Sequence, residues 1–247
     1  MLRFLPWEGR VAIVFLLFAF AFNLVHYAVF HDSRYIAMFI LAQLGFLPVS
    51  VYLVTVVINQ LLGRREKQAM LKKLNMVIGS FFSEVGTGLL RLIAKGESAG
   101  RTTRNHFLVG PAWGNAGYDR AHAKLKEWDG EIRSAEIDWE ALRAFLLAER
   151  HFLLSLLGNP NLLEHESFTD LLWAVFHLAE ELGNRKTVSS LPESDTEHLV
   201  GDIRRVYLLL LSEWLDYMKH LQADYPYLFS LAVRTNPFNP DAKAEVE

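Results

Sequence analysis

The chain has 247 residues, no Cys, and 25 Lys/Arg against 28 Asp/Glu. Without Cys there is no disulfide framework and no thiolate-ligated zinc or iron–sulfur centre, and the composition fits a reducing compartment. The net charge of −3 hides a gradient: residues 64–104 hold nine Lys/Arg and three Asp/Glu, whereas residues 105–247 hold thirteen and twenty-three, which argues against a general nucleic-acid-binding face.

A short lead from Met1 to Gly9 carries Leu2, Phe4, Leu5 and Trp7, suited to a membrane interface. Val11 to Phe30 and Tyr35 to Leu62 then form two long apolar runs, each without Asp, Glu, Lys or Arg and each long enough to cross a hydrocarbon core of about 30 Å. Backbone groups must be satisfied internally in lipid, so a helical hairpin is expected over residues 1–63, with Pro48 kinking its second arm. The first run exceeds the roughly 7–15 apolar residues of a signal peptide and has no small-residue cleavage site behind it, so it is expected to be retained. Arg64, Arg65, Lys67, Lys72 and Lys73 follow the second run against one acid, Glu66, while the connecting segment His31–Arg34 offers only Arg34 beside Asp32. The positive-inside rule then places both termini in the cytoplasm, and the basic cluster faces anionic headgroups.

Inside the runs, Asn23 and Gln43 are expected at similar depth, where they could hydrogen-bond to each other or across subunits. His26 and Ser50 add polarity. Structural glue is the expectation; an ion path is the alternative, although no intramembrane carboxylate accompanies it.

Residues 64–95 read as a basic juxtamembrane helix. Met70, Leu74, Val77, Phe81, Val85, Leu89 and Leu92 form its apolar stripe, and Gly86-Thr87-Gly88 marks a break. Residues 96–137 read as a loop-rich connector, with an irregular stretch from Lys95 to Tyr118 and a short helix over Arg120–Trp128. Within it Arg101, Thr102, Thr103 and Arg104 could cradle an anion, although no Walker lysine follows; an ordinary flexible loop is the plainer expectation.

Residues 138–235 read as an antiparallel helical bundle. Asp138 caps a helix over Trp139–Leu157, which Gly158 stops. A second helix carries Phe168, Leu171, Leu172, Val175, Phe176, Ala179 and Leu182 on one face and ends at Gly183. A third starts from a Ser194/Glu197 capping box and runs through Leu199, Ile203, Val206, Leu210, Trp214, Tyr217 and Leu221 to a stop at Pro226. Residues 236–247 read as a flexible tail, although Tyr225–Phe229 and the Asn236-Pro237-Phe238 turn are expected to pack the C-terminal end back on the bundle, or else to present a docking patch. No strand signal, internal repeat or low-complexity tract is found, so the fold class is all-α: a transmembrane hairpin followed by a cytoplasmic bundle.

Asp170, His177 and Glu181 share one helix face, and His198 with Asp202 another. Packed together they would offer a carboxylate–imidazole metal site; the plainer reading is a solvated polar face, and no cofactor is expected. No nucleophile elbow, kinase signature or di-iron motif occurs. The function expected from this pattern is a membrane-anchored, non-enzymatic interaction or assembly protein that presents an acidic bundle to a partner, either another protein or further copies of itself. A channel or transporter subunit and a metal-dependent bundle enzyme are the alternatives.

Overall fold

The computed structural model describes residues 7–97, 105–160, 162 and 165–245. Among these residues every element is helical; the nearest approach to a sheet is one antiparallel bridge between Glu97 and Ile132. The chain divides into two units, up to Lys67 and from Gln68.

The first unit holds α1 (Trp7–Phe30) and the first part of α2 (Ser33–Phe81). The expected four-residue connection is shorter. His31 adopts φ 52°, a left-handed conformation that ends α1, and its N–H bonds Tyr27 O at 2.8 Å. Asp32 Oδ1 then accepts from Tyr35 N at 3.0 Å, capping α2 from Ser33. Pro48 lies inside α2. Apart from the half-buried Ile36 and Val56, the large apolar side chains from Val14 to Leu62 stand 45–73% exposed, so the described residues of this unit form no core of their own.

The second unit starts within α2, which ends at Phe81 and passes through a π-helical turn (Phe82–Gly86) into α3 (Thr87–Ile93). There follow α4 (Asn115–Lys126), α5 (Trp139–Leu157), α6 (Glu166–Asn184), α7 (Glu193–Asp224) and α8 (Pro226–Arg234). The stripe expected from Met70 onward buries Leu74, Phe81, Val85 and Leu89 at 0–1% exposure. At ~25 cal/mol per Å² of apolar surface, such burial is the main favourable term in the domain.

Helix α7 is the axis of this unit. Tyr118 on α4 donates to Gln222 at 3.0 Å and His122 meets Asp216 at 3.1 Å, while Arg185 at the end of α6 pairs with Asp195 near the start of α7. These pairings run in opposite chain directions, so α4 and α6 both pack antiparallel to α7. Helix α5 lies antiparallel to α6: Arg143 donates to the carbonyls of Leu182 and Arg185 at 3.0 and 2.9 Å, and Arg150 meets Glu180 at 2.7 Å. Arg143 thereby satisfies carbonyls that the end of α6 would otherwise leave open.

Several boundaries differ from the sequence expectation, each for a local reason. The described residues of the connector at 96–137 are tied to the domain. Gly96 and Glu97 clip onto Ile132–Arg133 through the bridge and an Arg133 N to Gly96 O bond of 2.7 Å, and α4 begins at Asn115, five residues before the expected helix. Helix α6 starts at Glu166 because the His165 imidazole accepts from Phe168 N at 3.2 Å, in the role a Ser or Asp usually takes. The Ser194/Glu197 capping box does not form. Helix α7 already begins at Glu193 after an extended Pro192, and Asp195 turns to Arg185. Pro226 does not only end α7; it occupies the first turn of α8, where a missing N–H costs nothing. The flexible tail is corrected as well, in favour of the packed turn: Asn236 and Phe238 are 0% and 2% exposed. Asn236 Nδ2 donates to Phe107 O at 3.4 Å and its Oδ1 accepts from Phe238 N at 2.9 Å, which seats the Phe238 ring against Phe107 and Trp214.

Candidate functional site

The π turn is a local consequence of sequence. Its signature is one carbonyl, Phe82 O, which accepts from both the backbone N–H and the Oγ1 of Thr87, the latter at 2.8 Å. Gly86 permits the wide turn: a Cβ there would lie 2.5 Å from Phe82 Cδ1 and 3.0 Å from Phe81 Cε1. Gly88 likewise lets α3 ride on Phe145 of α5, whose Cζ would stand 2.8 Å from an added Cβ. The segment read as a break is therefore a continuous helix with one extra residue. Such turns recur at functional sites.

Here the turn projects Ser83 and Glu84 into a groove walled by α7 and α8. Two adjoining cavities of about 540 and 620 Å³ share Ser83, Glu84, Tyr217 and Leu228. Tyr217 stacks on Phe82 with centroids 4.9 Å apart and planes at 10°, and burial raises its phenol pKa. Arg91 donates to Thr235 O at 2.7 Å, and His220 Nδ1 lies 2.8 Å from Asp224 and 3.2 Å from Asn75 Nδ2. Glu84 is exposed, and among the described lining residues it is the charged side chain with no such partner. The rim is apolar and open, with Met76 at 70%, Leu228 at 40% and Leu231 at 44% exposure.

A second polar constellation lies where α6 meets α7. His177 and His198 each place Nε2 3.5 Å from Asp202 Oδ2, and 3.9 and 3.8 Å from the Glu181 carboxylate. Arg185 holds Glu181 at 2.6 Å and Asp195 at 2.5 Å, and keeps both carboxyls below their usual range. Arg205 approaches Asp202 Oδ1 at 3.3 Å, while buried Asp202 Oδ2 has no hydrogen-bond donor. Four of the five residues considered for a metal thus meet, but Asp170 lies elsewhere, beside His165, Glu166 and Ser167. Among the described residues no three His, Asp or Glu side chains are grouped to hold a metal ion. The carboxylates serve guanidinium groups instead, and the cluster is an ion-pair seam between two helices.

Comparison with known proteins places the chain. Residues 70–234 match the family described as "Uncharacterized protein MJ1433, C-terminal helical domain", and residues 3–62 match "MJ1433, N-terminal helical domain". A Methanocaldococcus jannaschii protein named "Uncharacterized protein MJ1433" is 45% identical over 215 residues, covering 87% of this chain and 86% of that one. The chain belongs to the MJ1433 family. No solved structure matches it.

In this member of the MJ1433 family the other candidate residues fall as follows. Asn23 donates to Ala19 O of its own helix at 2.9 Å instead of meeting Gln43, and Ser50 does the same with Phe46 O at 3.3 Å. His26 stacks on Tyr35 at 5.5 Å, which ties α1 to α2, and its buried Nδ1 has no hydrogen-bond partner. Lys73 is exposed; the side chains of Arg64, Arg65, Lys67 and Lys72 lie outside the described residues, as do Arg101, Thr102, Thr103 and Arg104.

Sequence reading missed the groove, yet one signal was present. The stripe takes three successive four-residue steps from Val77 to Leu89. At 100° per residue those steps drift about 120° around an α-helix, close to the turn that one inserted residue absorbs.

Proposed function

We propose that this protein is a membrane-anchored, non-enzymatic interaction protein, with α1 and the first part of α2 crossing the bilayer and both termini in the cytoplasm. The observation that carries the reading is that the described residues of the first unit form no core. Its stretches Ile13–Phe30 and Ser33–Gly63 are long and apolar enough to cross a membrane and are 0% buried within the protein. A third stretch, Lys73–Gly96, meets the same length and composition criteria, but 44% of it is buried. Its apolar side chains are spent on the helical domain, so we assign it to that domain and not to the bilayer. The basic residues from Arg64 to Lys73 support the orientation and favour anionic headgroups. The open apolar rim of the groove supports a partner-binding role, because exposed contiguous apolar surface marks interaction sites.

Native mass spectrometry of the full chain extracted in membrane nanodiscs tests this reading. The expected result is one or two copies with a second polypeptide in fixed ratio. A closed ring of four or more copies and nothing else would replace it with a channel subunit. Turnover of a small molecule by the purified chain at enzyme rates would refute it.

A further inference from the structure

We propose that the groove between the π turn and α8 receives an amphipathic helix of a partner protein, with a Lys or Arg of that helix on Glu84 and an apolar anchor in the cavity on either side. This rests on the reading of the protein as an interaction module and narrows it to one surface.

Four features of the groove point there. Its walls are helices, so an extended peptide would find no sheet edge to pair with, whereas a helix brings its backbone bonds satisfied. Its lining on the α2–α3 side runs from Asn75 to Arg91, about 24 Å at 1.5 Å per residue, the length of a four-turn helix. The two cavities meet at Glu84, one lined toward Asn75 and the other toward Arg91, so apolar anchors on different turns of one helix could enter both. Glu84 places the basic residue: among the described residues it is the exposed carboxylate that lines both cavities without an ion-pair partner, while the Arg91 guanidinium at the end of the lining is turned to the Thr235 carbonyl and His220 meets Asp224. A lipid tail would make no use of the polar row Ser80, Ser83, Glu84 and Thr87 on the groove floor.

The test uses the full chain in its own membranes, with the photo-crosslinking residue p-benzoylphenylalanine at Leu228 and, in a separate variant, at the exposed Trp173 of α6. The Leu228 position is expected to give one protein adduct, mapping to an amphipathic helical peptide that contains Lys or Arg. Glu84→Lys should cut its yield about ten-fold or more, because like charges then face each other. Changing the partner's basic residue to Glu should restore it. Glu84→Gln, the milder variant, should give an intermediate yield, and thermal melts should show both variants folded. Adducts to lipid or to a second copy of this chain would overturn the proposal, as would a yield indifferent to Glu84. Protein adducts from position 173 alone would remove the groove and leave the interaction reading standing; none from either position would remove both.

Discussion

Replacing Glu97 with alanine should be among the most damaging single changes in the helical domain. The side chain is 3% exposed and joins segments distant in sequence: Oε1 accepts from Trp128 Nε1 at 3.0 Å and Oε2 from the Tyr207 hydroxyl at 3.1 Å. Alanine removes the acceptor from both donors, at about 1–3 kcal/mol each, and leaves a void. With about 1 kcal/mol for the void, the sum is roughly 3–7 kcal/mol, or a fall in Tm of about 6–28 °C for a domain of this size. Glu97→Gln should cost far less, below about 1.5 kcal/mol. Its amide oxygen can keep the Trp128 bond while its NH2 donates to the Tyr207 hydroxyl, which accepts as well as donates. Tryptophan-fluorescence melts of the full chain in nanodiscs would separate the two. Equal damage from both variants would show that the carboxylate charge matters and not the acceptor count. A Glu97→Ala melt within 3 °C of the parent, against the ~6 °C minimum expected, would refute the clip altogether.

Other outcomes follow from the same geometry. Burial raises the pKa of Glu213, 4% exposed, above that of the unfolded chain, so it stabilises while protonated; that contribution is lost as pH rises through the raised value. Glu213→Gln should therefore flatten the decline in Tm above the ordinary carboxylate range, and an unchanged profile would exclude this carboxyl as the source. Gly86→Ala places a methyl 2.5 Å from Phe82 Cδ1 and should cost about 1–3 kcal/mol in thermal melts; a neutral effect would mean that the π turn relaxes freely. Because the chain has no Cys, single cysteines report topology without background. His31→Cys should react with an impermeant maleimide in intact cells and Lys243→Cys only after permeabilisation, while labelling of both from one side would exclude the two-span orientation.

What the sequence makes legible follows the range of the interactions. Helix α5 is readable because everything that defines it is local: Asp138 Oδ1 capping Ala141 N at 3.0 Å, apolar residues every three or four positions, and Gly158. The His177–Glu181 and His198–Asp202 pairs are readable for the same reason, each being one turn apart. Their use is not, because Arg185, one turn beyond Glu181, also reaches Asp195 across a loop whose path the local pattern leaves open. Helix α8 is hidden behind Pro226, whose stop and start meanings look alike until the chain beyond it is seen to turn back. The groove needs α2, the π turn, α7 and α8 together, and no periodicity within one helix encodes such an assembly.

The seating of Asn236 and Phe238 on Phe107 and Trp214 bears on how the chain is made. Phe107 leaves the ribosome well over a hundred residues before its cover does, and the other helices of the domain can pair as they emerge. The last aromatic face is sealed only when residue 238 has been synthesised. A nascent or interrupted chain therefore displays an uncovered Phe107–Trp214 surface, the kind of apolar exposure on which chaperones and proteases act. Arrival of residue 238 is written into the core as the burial of one phenylalanine.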